Sequence, residues 1–334
     1  MTATKTFTAL VVEREGKELV SSLKQLSVDD LPDEDVLIQV DYSTVNYKEG
    51  LGFADRNKIF RISPIVPGVD LAGTVVESKA PGFKPGEKVI LNGWSVGERY
   101  WGGYSQMARI RSDFLIHLPE GMDTRKAMFI GTAGYTAMLM VMTLEEAGVK
   151  PDSGPVLVTG ATGGVGGNAV AILNRLGYEV TALTRSQDPA IHEYLKKIGA
   201  REVACGEEWS KPPAPLETQK WAGAVDNVGS VVLARILAEM KYGGCVAACG
   251  LAGGFELSTT VMPFILRGVS LRGVDSVSCP TPRRIAAWKR LVTDISDEAL
   301  ATINKVIPLK DVPRYAKELM AGKITGHLVV DVNA

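Results

Sequence analysis

The chain has few of the side chains that build metal and redox centres. Its three histidines, His117, His192 and His327, are scattered, and its four cysteines are Cys205, Cys245, Cys249 and Cys279. No two cysteines form a C-x-x-C pair, which argues against a structural zinc lobe and against a disulfide framework. Reduced thiols and a cytoplasmic location are expected. An excess of charge is missing too. Lys and Arg number 37 against 38 Asp and Glu, a formal net charge of −1. Without a global positive field, nucleic acid is not an expected partner. Met1 to Leu10 hold no long apolar core, so no secretory signal is expected there. The uncharged stretch from Ala127 to Leu144 has the length of the shortest bilayer spans, but it contains Gly131, Thr132, Gly134 and Thr136. It reads as a buried helix, and no membrane is expected. No Ser-His-Asp or Cys-His set is visible, so hydrolysis is unsupported.

What the chain does have is glycine, 35 residues in 334. Pro155 to Gly167 reads P-V-L-V-T-G-A-T-G-G-V-G-G, and a helix-compatible stretch follows from Asn168 to Leu176. A strand, a glycine turn and a helix in that order suit a dinucleotide pyrophosphate, because backbone N–H groups and the helix N-terminus can face the phosphates. Thr162, Gly163, Gly164 and Val165 are the expected contacts. The second strand ends Ala182-Leu183-Thr184-Arg185-Ser186. An NAD site places an acid there for the ribose hydroxyl. Here a guanidinium is flanked by two hydroxyls, which suits a 2′-phosphate and points to NADPH.

The second half alternates in βα fashion. Strands are expected at 155–159, 178–184, 202–204, 222–226, 244–249 and 269–275, with helices at 164–177, 188–199, 230–241 and 261–267. This predicts a doubly wound parallel sheet. The first half is β-rich, with strands expected at 6–13, 35–43, 73–78 and 87–91 and another after Trp101 to Gln106. A partly open barrel is the natural closure.

Three segments carry a family resemblance: Pro67-Gly68-Val69-Asp70-Leu71-Ala72-Gly73-Thr74-Val75, the turn at Gly82 to Val89, and Trp101-Gly102-Gly103-Tyr104-Ser105-Gln106. With the glycine turn, they resemble the medium-chain dehydrogenase/reductases over essentially the whole chain. The resemblance implies a GroES-like barrel as catalytic domain, at 1–125 and 278–334, and a Rossmann domain at 126–277. Zinc alcohol dehydrogenases of this family carry G-H-E where this chain has Gly68-Val69-Asp70, and no cysteine precedes Cys205. Three clustered ligands for a catalytic zinc are therefore not in view. The chain resembles the zinc-free, quinone-reductase-like branch, and Asp70 reads as a polar group in a barrel turn.

Longer stretches are similar to the bacterial NADPH-dependent acrylyl-CoA reductase family. They are Val45 to Lys48, Leu91 to Glu98, Gly243 to Phe255, Thr259 to Arg267 and Arg272 to Ser276. That similarity implies reduction of acrylyl-CoA to propionyl-CoA, with hydride added to the β-carbon and an enolate protonated at the α-carbon. It also implies Arg201 as a second phosphate clamp, Leu251 and Ser276 near the nicotinamide, and Tyr47 at the nicotinamide and substrate carbonyl. Homodimers through the last cofactor-domain strand are common in this branch. A CoA thioester calls for a basic rim, and two clusters qualify: Arg56, Lys58 and Arg61, and Arg283, Arg284, Lys289 and Arg290. An NADPH quinone reductase and a non-catalytic NADP-binding redox sensor are the competing expectations.

Overall fold

A computed structural model describes Thr6–Ala334. Part of the Met1 to Leu10 stretch therefore lies outside the described residues. The chain divides into two compact units. One runs to Thr132 and takes in Ser276–Ile285 and Asn304–Ala334; the other holds Ala133–Asp275 and Ala286–Ile303. Residues 286–303 thus group with the second unit, whereas the sequence assigned the whole of 278–334 to the first.

The first unit opens with a hairpin of β1 (Thr6–Glu15) and β2 (Glu18–Ser27). Then come β3 (Val36–Val45), helix α1 (Tyr47–Phe53), β4 (Asp70–Ser78), β5 (Lys88–Asn92), β6 (Met107–Ile110) and β7 (Leu115–His117). β2 has no fully buried residue, so its sequence lacks the apolar alternation by which a strand is recognised. Its partner β1 buries five of its ten residues and joins the rest of the unit through backbone bonds from Leu10 to Tyr104 and between Val12 and Ile65. The closing segments β14 (Asn304–Pro308) and β15 (His327–Asp331) extend the main sheet, giving the order β14-β15-β3-β4-β5-β7 with β6 paired to β3. Val36, Ile38, Val40, Leu71, Val89, Leu91 and Leu328 fill the core inside it. Each contributes roughly 1.5–3 kcal/mol by leaving water.

Helix α2 (Thr124–Glu146) carries the chain from the first unit into the second. It contains the stretch of near-membrane length, which is mostly buried within the fold. The helix breaks at Gly131, where φ is 54° and ψ is −164°. Only glycine adopts that combination readily. The break frees the Thr132 N–H from the helical ladder, and it donates instead to Asp70 Oδ2 at 2.8 Å.

The second unit is a six-stranded parallel sheet of β8 (Val156–Val158), β9 (Val180–Leu183), β10 (Glu202–Ala204), β11 (Trp221–Asp226), β12 (Met240–Ala248) and β13 (Ser270–Gly273). The spatial order is β10-β9-β8-β11-β12-β13. Numbered within the unit this is 3-2-1-4-5-6, the dinucleotide-binding order, with its switch point between β8 and β11. α3 (Gly164–Arg175), α4 (Pro189–Lys197), α5 (Ser230–Glu239) and α6 (Met262–Arg267) form the crossovers. Each expected strand and helix of this unit is present, with ends shifted by a few residues.

At Gly131 an added Cβ would sit 2.9 Å from both His327 Cε1 and Thr44 Cγ2, besides demanding the strained backbone. Gly131→Ala is expected to destabilise the protein by about 2–4 kcal/mol in urea unfolding. An unchanged unfolding midpoint would show that the break is not enforced by packing.

Candidate active site

The crevice at the switch point is built by short polar residues at strand ends. Thr159, just past β8, donates its hydroxyl to Asp226 Oδ1 at 2.7 Å. The Asn227 backbone N–H donates back to Thr159 Oγ1 at 2.9 Å, and the Asn227 side-chain amide donates to Thr159 O at 2.7 Å. Asp226 also accepts from the Gly229 N–H at 2.9 Å. Burial pushes this carboxyl up, and the bonds from Thr159, Gly229 and Val228 pull it back. The sequence marked Asp226-Asn227 as a strand end but did not foresee Thr159 as the brace across the switch point.

Next to this brace, Gly160 turns the chain with φ 56°, and α3 starts after Gly163. Gly166 permits the approach, since a Cβ there would lie 2.3 Å from the Gly160 carbonyl. Thr162, Gly163, Gly164 and Val165 remain half-exposed at the N-terminal end of α3. The Gly163 N–H is taken by the Gly160 carbonyl at 3.0 Å, and the first N–H groups of α3 beyond it have no helical acceptor, which fits a pyrophosphate. The turn after β9 is equally ordered. Thr184 is buried, and its hydroxyl accepts from Ser186 N at 3.1 Å. Ser186 Oγ accepts from Asp188 N, and Asp188 caps α4 through Ala190 N. Arg185 is exposed between them. These residues fit a dinucleotide carrying a 2′-phosphate.

Arg201 does not join this set. Its backbone N–H donates to Val180 O at the start of β9, and its guanidinium pairs with Glu179 at 3.4 Å. It therefore sits at the N-terminal ends of the parallel strands, the sheet edge opposite the glycine turn. This removes it from the cofactor crevice, because phosphates are met at the C-terminal ends. Leu251 is 58% exposed on the loop after β12. Ser276 falls in the first unit, where its carbonyl accepts from Arg284 at 3.4 Å. Cys249 is not an activated nucleophile: burial and Asp226 push its thiol up to about 12, and its Sγ donates to Asn227 Oδ1.

In the first unit Tyr47 is the first residue of α1, 46% exposed, and its phenol bonds to no described residue. Lys48 instead pairs with Glu98 at 2.6 Å, so it is held as part of the loop. Behind Tyr47 lies a group that sequence reasoning missed. Glu49 is buried. One oxygen accepts from Asn46 N at 2.9 Å, the other from Val69 N at 2.8 Å, so a single carboxylate ties the start of α1 to the Pro67–Asp70 turn. Asp70 is buried close by and accepts from Thr44 Oγ1 at 2.7 Å and from Thr132 N. Tyr104 closes the cluster by donating to Thr44 O at 2.8 Å. Desolvation, together with the Asp70 charge, raises Glu49 to about 7. Buried His327, its Nδ1 at 2.9 Å from Asn304 Oδ1, is lowered by desolvation to about 4. The capping pattern Asn46…Glu49, three apart, was the available signal.

These carboxylates do not make a zinc site. Their oxygens are already engaged by N–H and O–H donors, a valine stands at position 69, and no three metal-ligating side chains cluster among the described residues. The residues present do not fit the ion. Two of the four cations in the second basic cluster are already engaged. Arg284 is buried, donates to Asn92 O at 2.7 Å and lies over the Trp94 ring. Arg290 pairs with Glu145 and Asp294.

Glu49 and His327 set opposing pH dependences. The folded value of Glu49 is raised, so its stabilising contribution is full below about pH 4.5 and lost as pH rises through about 7. The folded value of His327 is depressed, so its contribution is present above 6.5 and lost as pH falls through about 4. In the native protein the two slopes offset. Glu49→Gln should unmask the histidine. Its stability relative to the native protein should fall by about 3 kcal/mol between pH 7 and pH 4.5 in urea titrations. A difference independent of pH would refute the assignment.

Two family models match: "Alcohol dehydrogenase GroES-like domain" over residues 32–120 and "Zinc-binding dehydrogenase" over residues 164–297. The chain is 50% identical to the acrylyl-CoA reductase AcuI of Ruegeria pomeroyi over 98% of its length and all of that protein. It is 44% identical to the putative quinone oxidoreductase YhfP of Bacillus subtilis, covering 97% of this chain and 98% of that one. The crystal structure of Escherichia coli YhdH with bound NADPH superposes with a TM-score of 0.94 at 50% identity, over 97% of this chain and all of the other. A GroES-like unit, a 3-2-1-4-5-6 sheet with a glycine turn at its switch point, and identity of this extent place the chain in the medium-chain dehydrogenase/reductase superfamily.

Proposed function

We propose that this protein is an NADPH-dependent acrylyl-CoA reductase that forms propionyl-CoA. The observation that carries the reading is half-identity, over nearly the full length of both chains, to an acrylyl-CoA reductase. The cofactor choice is supported by the acid-free turn Thr184-Arg185-Ser186. When bound, NADPH supplies a hydride from its nicotinamide C4 to the β-carbon of the alkene.

The protein's share is to bind and to stabilise charge. In this reading Thr162 to Val165 hold the pyrophosphate at the start of α3, and Thr184, Arg185 and Ser186 hold the 2′-phosphate. Leu251 and Ser276 line the nicotinamide half. The unpartnered phenol of Tyr47 donates to the thioester oxygen, where enolate charge develops. Glu49 keeps Tyr47 in place by tying the Asn46 backbone just before it to the Pro67–Asp70 turn. A cytoplasmic enzyme accords with four reduced cysteines.

The likeness to a quinone oxidoreductase at 44% identity favours a second reading, reduction of quinones on the same site. Steady-state NADPH oxidation with acrylyl-CoA, crotonyl-CoA and benzoquinone, beside NADH controls, separates the two. Acrylyl-CoA is expected to give the highest kcat/KM. In the same assay Arg185→Ala should raise the NADPH KM by about 10- to 100-fold, the loss of one charge-assisted contact, and leave the NADH KM unchanged. Faster turnover of benzoquinone would reverse the assignment.

A homodimer joined through β13 is part of the proposal. β13 ends the sheet with one neighbour, and Phe255, Val261 and Ile265 are exposed in the preceding segment. An open edge beside apolar side chains is a pairing surface. Sedimentation equilibrium should give twice the chain mass, and a monomer at micromolar concentration would count against it.

A further inference from the structure

Between α1 and β4 the chain makes a costly turn. Asp55, Asn57 and Lys58 have φ values of 50°, 58° and 48°, left-handed conformations held by residues other than glycine. Each costs on the order of 1 kcal/mol and persists only where the surroundings enforce it. Here Arg14, at the end of β1, grips Asp55 with two bonds of 2.7 and 3.2 Å, and its backbone N–H donates to Ser63 Oγ at 2.8 Å.

The clamped turn walls a solvent-open basin of about 490 Å³, lined by Arg14, Asp55, Lys58, Phe60 and Arg61. Three cations face one carboxylate, in a chain whose net charge is −1. Arg14 spends its charge on Asp55. The side chains of Lys58 and Arg61 form no hydrogen bond or ion pair with any described residue. Phe60 is fixed edge-on to Phe53 at 5.6 Å and covers Gly52, so the basin has a rigid aromatic wall. Lys58, whose charge also acts on Asp55, and Arg61 stand beside a fixed ring and suit a phosphorylated purine nucleoside, with phosphate on the cations and base against the ring.

We propose that this basin holds the phosphorylated nucleotide end of the CoA substrate, an assignment that rests on the acyl-CoA reading above. The connectivity supports it. α1 carries Tyr47 at one end and runs into the clamped turn at the other, and its seven residues span about 10 Å. A thioester whose pantetheine arm bends back would meet Tyr47 with its acyl end and the clamped turn with its nucleotide end. In the second basic cluster Arg284 is buried and Arg290 is paired, so two of its four cations are already engaged.

The test compares acrylyl-CoA with acrylyl-pantetheine, which keeps the reacting thioester and lacks the nucleotide. In a Lys58→Ala/Arg61→Ala enzyme the acrylyl-CoA KM should rise about tenfold, the loss of roughly 1.4 kcal/mol of binding. The acrylyl-pantetheine KM, the NADPH KM and kcat should stay as in the native protein. Lys84→Ala, an exposed cation elsewhere in the same unit, should change none of them. An unaltered acrylyl-CoA KM, or equal shifts for both thioesters, would overturn the proposal. A raised NADPH KM would assign the basin to the cofactor instead and overturn it equally. Calorimetry with free CoA reads the basin without turnover. Binding by the native protein that weakens about tenfold in the double variant supports the site even if acrylyl-CoA is not reduced, and unchanged binding refutes it.

Discussion

Helix α3 can begin against strand β8 only because Gly166 has no side chain. A single added carbon would collide with the Gly160 carbonyl at 2.3 Å, and the helix would have to back away from the sheet. With that contact allowed, the N-terminal end of α3 sits at the switch point, beside the Thr159–Asp226–Asn227 brace. The ordered turn at Thr184 to Asp188 follows on the neighbouring strand. Close backbone packing at one turn thus decides where a helix N-terminus suited to an anion is presented.

The first unit solves a different problem. Two carboxylates are buried here, and the Asp70 charge helps to raise Glu49; the backbone N–H groups of Asn46 and Val69 hold Glu49, while the Thr44 hydroxyl and the Thr132 N–H hold Asp70. The break of α2 at Gly131 contributes one of those donors, Thr132 N. Where zinc enzymes of the superfamily show G-H-E, this chain places Val69, whose backbone N–H serves Glu49. The turn is held by hydrogen bonds, and in the proposed reaction a neutral donor, Tyr47, faces the charge at the reacting oxygen.

Much of this was legible in the sequence, for physical reasons. The second unit could be read strand by strand because parallel strands buried on both faces appear as short apolar runs, as in Val156–Val158 and Trp221–Asp226. The glycine turn was legible because its φ requirements and close backbone approach restrict residue choice. β2 was not, since a half-exposed strand carries no clean alternation. Arg201 was assigned by resemblance, although its place just before the expected strand 202–204 already put it at that strand's N-terminal end. Glu49 looked like one more polar residue in a loop. Its importance comes from burial against Val69 and Asp70, twenty residues away, which no local pattern encodes.

The central claim is that the protein reduces an activated alkene by hydride addition at the β-carbon, with the protein stabilising the enolate. Isotope tracing tests it most directly. Acrylyl-CoA reduced with NADPH deuterated at the transferring C4 position in ordinary water should give propionyl-CoA with one deuterium at C3 and none at C2. Label at C2, or label lost to solvent, would contradict the account.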